Sequence, residues 1–536
     1  MARSSRPLGG LIAGVVSGLA LSACALSPGK VGYLVKSPQA TPLVVHVETG
    51  DVRGVATPRG RAFLGIPFAA PPVGALRFRP PAPPEAWHGV RDATRAGAIC
   101  VQNTVPGSGR QSEDCLTLNV YAPHDADPRR PRPVMVWLYG GGFAIGDNVE
   151  YDPSHLAENR GVVVVAPNYR LGAFGFLAHP ALRGAGEGAY AVLDQQAALR
   201  WVKANISRFG GDPDKVTVFG QSAGGWSVCY QLTAPGARGL FQRAIIQSGA
   251  CVSPHSEISL AAAEAGGRQM ATALGCGDGE AAAECLRRLP ARILLRANPD
   301  RRGLLGLNSW SAAYGGDVLP VEPRVALAAG DFAIVPVIDG TTRDEGRLFL
   351  LTNRLQGKLF TQGSYEKILT DSFESDTPKV LAEYAGEAKR SRGLAYADVV
   401  TDSTFACPAL ALNALLERRA KVWAYEFDDP HAVTTLPPTP FTPALKAFHT
   451  SELVYVFQTP WLAANPAAFD TAERRLSDRM QAWWSAFAAN GDPDTPTAPQ
   501  WPSDRGQGPF TLSPRDTTAA DFAVAHRCAF WSALGY

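Results

Sequence analysis

The stretch Val216-Thr217-Val218-Phe219-Gly220-Gln221-Ser222-Ala223-Gly224 decides the fold of this chain. Val216–Phe219 is a short apolar run that reads as a buried strand. Gly225-Trp226-Ser227-Val228 then opens a helical pattern. Strand, G-x-S-x-G and helix together are the context of a nucleophile elbow. So sharp a turn forces the serine into a strained backbone conformation. Glycine two residues to either side removes β-carbons that would strike the flanking strand and helix. Ser222 Oγ is thereby expected to stand above the sheet, open to a reacting carbonyl.

The rest of the chain suits such a scaffold. Its 536 residues are 46% hydrophobic and 19% charged, the profile of a well-buried globular protein. Formal net charge is +2. The densest basic cluster, Arg129-Arg130-Pro131-Arg132, lies in a proline-rich stretch and reads as a solvated loop. Nothing here is an electrostatic footprint for nucleic acid. No C-x-x-C, H-E-x-x-H or H-x-H spacing points to a metal, and no cofactor motif stands out.

The N-terminus reads as a targeting segment over residues 1–24. Arg3 and Arg6 precede an apolar stretch from about Leu11 to Leu21, followed by small residues. Leu21-Ser22-Ala23-Cys24 resembles a bacterial lipobox, which would make Cys24 a lipidated mature N-terminus. Cleavage at the A-x-A of Ala23-Cys24-Ala25 is the plainer alternative. Either route exports the protein, as a periplasmic or outer-membrane lipoprotein or as a secreted protein. Residues 25–42 read as a tether, and 43–536 as one domain. Of nine cysteines, eight remain beyond Cys24, in a compartment where disulfides persist. Cys100 and Cys115 bracket one loop, and Cys276 and Cys285 another. Cys407 and Cys528 would tie the C-terminus to the body. The pairing of Cys229 with Cys251 stays open.

Leu43–Val47 and Val52–Ala56 read as a hairpin around Glu48-Thr49-Gly50-Asp51. A proline-rich crossing follows, from Ile66-Pro67-Phe68 to Pro84. Further strands are expected at Leu116–Tyr121, Val134–Tyr139, Val162–Pro167, Ala244–Gln247, Val335–Ile338 and Val422–Phe427. Ala191–Phe209 has helical spacing. Alternating strands and helices predict an α/β fold: a large central, mostly parallel sheet with helices on both faces. Ala261–Leu289 and Leu350–Ala406 read as helical insertions above the C-terminal ends of the strands.

A serine hydroxyl needs a base, and the base needs a carboxylate to hold its tautomer. On an elbow scaffold the acid and the histidine follow the serine in that order. Downstream, Val335-Pro336-Val337-Ile338-Asp339-Gly340-Thr341-Thr342-Arg343-Asp344-Glu345-Gly346 offers Asp339, Asp344 and Glu345. Three histidines follow: His431 among prolines, His526 beside Cys528, and His449 in a loop entering a helix. Position favours His449. The run Trp137-Leu138-Tyr139-Gly140-Gly141-Gly142-Phe143 puts three glycines directly after a strand. Their amides, with that of Ala223, can approach a tetrahedral oxygen.

With these residues quoted, the chain resembles the type-B carboxylesterase and cholinesterase family of α/β-hydrolases. Glu113-Asp114-Cys115-Leu116-Thr117-Leu118-Asn119-Val120 and Phe219-Gly220-Gln221-Ser222-Ala223-Gly224-Gly225 are similar to its two signatures. Asn168–Leu177, Leu193–Leu199, Gln247-Ser248-Gly249, Asp344-Glu345-Gly346 and Cys528-Ala529-Phe530-Trp531 match as well, so the likeness spans about Leu43 to Tyr536. The resemblance implies an α/β-hydrolase fold and a serine carboxylesterase that acts on small-molecule esters without a cofactor. It implies Ser222, Glu345 and His449 as triad, and Gly141, Gly142 and Ala223 as oxyanion donors. It further implies the disulfides Cys100–Cys115, Cys276–Cys285 and Cys407–Cys528. Ion pairs are implied between Arg170 and Asp194, and between Glu113 and either Arg77 or Arg79. Ser248 and Glu452 would lend polar support near the histidine.

Two departures from the family stand out. Gln221 takes the place of the usual glutamate before the nucleophile, so the hydrogen bonding stays and the charge is lost. Gly225 replaces the usual alanine, a change expected to be neutral. The loop between Cys100 and Cys115 holds no tryptophan, which argues against cation–π recognition of quaternary ammonium. Rival readings on the same scaffold are a non-catalytic binding protein, an amide or thioester hydrolase, and a lipase. Phe143, Trp226 and Trp310 are candidate pocket walls, although large aromatics commonly serve packing alone.

Overall fold

The computed structural model describes residues 43–536, apart from 104–108, 254–257, 298–303, 306–309, 435, 437–438, 440–442, 462–463, 497–498, 502–507 and 516–520. The expected targeting segment, Cys24 and the tether lie outside the described residues.

Twelve strands form the principal sheet: β1 Leu43–Val47, β2 Gly50–Thr57, β3 Gly60–Pro67, β4 Val90–Asp92, β5 Thr117–Ala122, β6 Arg132–Leu138, β7 Val163–Pro167, β8 Gly211–Gln221, β9 Arg243–Gln247, β10 Val337–Thr342, β11 Val422–Phe427 and β12 Phe510–Leu512. Their order is β1-β2-β3-β5-β7-β6-β8-β9-β10-β11-β12, with β4 paired to β2. The first five strands of that order pair antiparallel, and from β7 onward every pair is parallel. Every residue of β5, β7, β10 and β11 is buried. Successive side chains point to opposite faces, so both faces of the sheet are covered.

The helices that position the site are α1 Tyr190–Asn205, α2 Ala223–Thr233, α3 Gly346–Leu355, α4 Arg392–Val400, α5 Cys407–Leu416 and α6 Thr471–Asn490. α2 packs on β8 and β9, and α6 packs on β6 and β8. The start of α6 carries a capping box. Asp470 accepts the amides of Ala472 and Glu473, while Glu473 accepts that of Asp470. The two expected insertions are present. Helices Leu260–Ala273, Ala282–Arg288 and Ala291–Arg296 lie between β9 and β10, and a longer helical stretch from α3 to α5 lies between β10 and β11.

Arg170 and Asp194 form a buried bidentate pair at 2.8 and 2.7 Å. Glu113 pairs with Arg77, at 2.7 and 2.5 Å. Arg79 instead offers its carbonyl to Arg170. The disulfides Cys100–Cys115, Cys276–Cys285 and Cys407–Cys528 are formed, and Cys229 pairs with Cys251 as well. Sequence spacing left that fourth pair open because only the packing of α2 against the segment after β9 brings the two sulfurs together.

Candidate active site

β8 runs straight into α2, and Ser222 is the hinge. Its φ is +58° and ψ −125°, a conformation that costs a non-glycine residue about 1–3 kcal/mol. The turn holds because its surroundings over-determine it. Ser222 N–H donates to the Gln247 carbonyl at 2.9 Å, and the Ser222 carbonyl accepts the Trp226 amide at 2.9 Å. A β-carbon at Gly224 would lie 1.9 Å from the Leu138 carbonyl oxygen, so only glycine lets the helix start this close to β6.

The segment before His449 is laid beside the loop after β10. Asp344 N–H donates to the Ala447 carbonyl at 2.8 Å, and Asp344 bridges to Phe448. This puts the next residues of both strands of chain in contact. His449 Nδ1 donates to Glu345 Oε2 at 2.5 Å, and Glu345 Oε1 accepts the Thr342 amide at 2.8 Å. Glu345 is fully buried. The other two acids of that segment point elsewhere. Asp344 binds Arg347 at 2.7 Å, and Asp339 is enclosed within β10, where burial raises its carboxyl well above the usual range.

With Nδ1–H given to Glu345, His449 Nε2 carries the lone pair. The Gln221 side-chain amide lies 3.3 Å from that nitrogen. The residue next to Ser222 therefore already touches the imidazole. The glycine run closes the third side. A β-carbon at Gly140 would sit 2.7 Å from the Gln221 carbonyl oxygen and 3.0 Å from Ser222 Cβ. Gly141 and Gly142 have φ of +112° and +62°. The amides of Gly141, Gly142 and Ala223 have no backbone acceptor among the described residues.

Two further polar residues sit close by. Ser248 has φ of +51°, and its amide donates to the Gly340 carbonyl. Glu452 is fully buried and accepts from Gln247 Nε2 at 3.2 Å. Burial, reinforced by the charge of Glu345, pushes its carboxyl up to about 8. Both causes disfavour a charged Glu452 in this enclosure.

An aromatic shell surrounds the imidazole, and two of its members escaped the reading of the sequence. Phe349 lies 5.1 Å and Phe405 4.8 Å from the His449 ring, centroid to centroid. Phe349 is four residues after Glu345, one turn along α3, and that i, i+4 relation was a usable signal. Phe405 had none: it sits in a π-helical turn, Thr401–Ala406, between α4 and α5. Phe143 and Trp226 belong to the same shell, with ring centroids 6.3 Å apart.

The expectation that Gly225 is neutral is corrected. A β-carbon there would come 2.8 Å from the Gln247 carbonyl oxygen and 3.0 Å from Gly249 Cα. In this chain the backbone of α2 touches the turn after β9 and leaves no room for alanine.

The model of the carboxylesterase family matches residues 41–531. The chain is 39% identical to para-nitrobenzyl esterase of Bacillus subtilis (strain 168) over 477 residues, 86% of this chain and 92% of that protein. It is 36% identical to human cocaine esterase, covering 91% of this chain and 88% of that one. It is 36% identical to fumonisin B1 esterase of Sphingopyxis macrogoltabida, covering 86% and 84%. A solved structure of PNB esterase superposes with a TM-score of 0.75 at 37% identity, covering 88% of this chain and 96% of that one. With its α/β-hydrolase sheet and this likeness along nearly its whole described length, the chain belongs to the carboxylesterase family and is a carboxylic ester hydrolase acting on small-molecule esters.

Proposed function

We propose that the chain is a serine carboxylesterase working through an acyl-enzyme, with residues 43–536 as its catalytic domain. Ser222 is the nucleophile, His449 the general base and acid, and Glu345 the orienting carboxylate. The observation that carries this reading is the His449–Glu345 hydrogen bond of 2.5 Å, set against a strained serine whose neighbour Gln221 touches the same imidazole.

The chemistry follows from these positions. Ser222 Oγ bonds to the ester carbonyl carbon and its proton passes to His449 Nε2. Glu345 stabilises the imidazolium that results. The carbonyl oxygen becomes an oxyanion held by the amides of Gly141, Gly142 and Ala223. As the oxyanion collapses, the C–O bond to the alcohol breaks and His449 protonates the departing oxygen. Water then attacks the acyl-enzyme with His449 again as base, which releases the acid and restores Ser222.

Hydrolysis of p-nitrophenyl esters from acetate to palmitate tests this, with Ser222→Ala as the blank. The variant should fold normally and lose roughly 10⁴–10⁶-fold in turnover. Wild-type turnover in Ser222→Ala would reject the assignment.

The reading extends to location: we propose export, with lipidation at Cys24. Four disulfides support an oxidising compartment. Mass spectrometry of the N-terminal peptide should find a diacylglyceryl cysteine, and Cys24→Ala should move the protein out of the membrane fraction. An unmodified Cys24 in mature protein would reject lipidation.

A further inference from the structure

Trp226 is the largest side chain on α2, and its place is set by the nucleophile. Its amide donates to the Ser222 carbonyl, so it lies one helical turn beyond Ser222. Helical side chains lean toward the N-terminus, over the turn that precedes them. The indole is therefore directed back toward the elbow.

Its neighbours agree. On one side stands Phe143, the residue that follows the glycine run. On the other stands Phe405, 6.4 Å away and nearly parallel at 8°. Phe405 in turn packs on His449. Trp226 thus bridges the glycine run and the ring against the imidazole. It is only 3% exposed. Nε1 donates to the Ala250 carbonyl at 3.1 Å. The next residue, Cys251, is bonded to Cys229, which lies three positions after Trp226 on the same face of α2. Hydrogen bond and disulfide fix both the indole and the segment that receives it, so the ring cannot swing aside to admit a larger group.

We infer that Trp226 is the specificity-determining residue of the acyl pocket, closing it on the α2 side and restricting turnover to small acyl groups. The acyl group is the part concerned because its carbonyl carbon bonds to Ser222 Oγ, one turn from the indole, in the first half of the reaction and is released only in the second. This rests on the assignment of Ser222 as nucleophile.

The test compares kcat/KM for p-nitrophenyl acetate, octanoate and benzoate in wild type, Trp226→Ala and Trp226→Phe. Competent sites are counted by titration with a fluorophosphonate. In Trp226→Ala the octanoate-to-acetate and benzoate-to-acetate ratios should rise by about tenfold or more, the scale on which pockets discriminate apolar volume. Trp226→Phe should move both ratios the same way by less, and it decides the matter if the alanine variant does not fold. Ratios that stay constant, or activity that falls in proportion on all three esters, would give the indole a packing role only and overturn the inference. Failure of the wild type to react with the fluorophosphonate would instead overturn the nucleophile assignment, and this inference with it.

Discussion

Gln221 is one atom group away from carrying a charge against His449. Its amide lies 3.3 Å from Nε2, the nitrogen that accepts the serine proton in the proposed mechanism. The amide nitrogen lies against the ring, 3.3 Å from Nε2 and 3.5 Å from Nδ1, and puts no net charge beside it. A carboxylate in the same place would favour the imidazolium. The sign follows directly: stabilising the protonated ring moves its loss of a proton to higher pH. Gln221→Glu should therefore shift the acidic limb of the pH–rate profile upward by about one unit. The measurement is kcat/KM for a p-nitrophenyl ester between pH 5 and pH 9, and an unmoved limb would count against a direct contact between residue 221 and the imidazole. This substitution was visible in the sequence as a departure from a motif. Its partner, the histidine, is expected from the resemblance alone, since no local pattern joins residues 228 positions apart.

Among the elements, α2 is held at close quarters along its first turn. Its backbone at Gly225 meets the turn after β9, and a β-carbon at Gly249 would in turn lie 2.5 Å from the Gly225 backbone. Two glycines facing one another bring helix and turn together, and Ser222 N–H reaches the Gln247 carbonyl across the same contact. Gly225→Ala should cost about 1–3 kcal/mol of stability through overpacking. It should also lower turnover, since relief of the clash moves Gln247 away from the elbow. Urea denaturation and esterase assay together check this, and an unchanged midpoint would refute it. Elements differ in how openly the chain declares them. Val422–Phe427 is legible to the residue because burial on both faces makes the whole run apolar or aromatic apart from one glutamate. β3 is obscured: Arg61, Gly65 and Pro67 interrupt any period, and only pairing with β2 and β5 makes it a strand. β12, at three residues, is too short to show a period at all. The elbow and the glycine run were legible because strained turns need particular residues. The aromatic shell was legible in part: Phe143 and Trp226 adjoin the glycine run and the elbow, Phe349 lies one turn after Glu345, and only Phe405, on its π-helical turn, carries no local mark.

For the molecule as a whole, the C-terminus is anchored by charge as well as by a disulfide. His526 lies buried between Asp402 and Glu426, at 2.8 and 2.7 Å. Tyr384 hydroxyl donates to Asp402 at 2.6 Å and receives Trp531 Nε1–H at 2.9 Å, and Arg527 reaches Glu387. Cys407–Cys528 spans the same junction over 121 residues of chain. Asp402 belongs to the π-helical turn that also carries Phe405, and the Thr401 hydroxyl of that turn accepts the Gly346 amide at the start of α3. The tail therefore braces the segment that packs on His449. Burial alone would lower the His526 basicity, but hydrogen bonds and charge from Asp402 and Glu426 outweigh it and raise its pKa to about 9. A histidine in the unfolded chain titrates near 6.5. A raised folded value means that the folded state holds the proton more tightly. The stabilisation is complete below about pH 6.5 and is lost as pH rises through about 9. Thermal denaturation of the oxidised protein should thus show a melting temperature that declines between pH 7 and pH 9.5. His526→Gln should abolish most of that decline while lowering stability at pH 6 by about 3–5 kcal/mol, the cost of removing the cation shared by two buried carboxylates, of which Asp402 keeps Arg527 at 3.5 Å. A slope retained in His526→Gln would assign the alkaline loss to another group. With the tail loosened, the π-helical turn and Phe405 lose their brace, so esterase activity of His526→Gln at pH 6 should fall even where the fold persists.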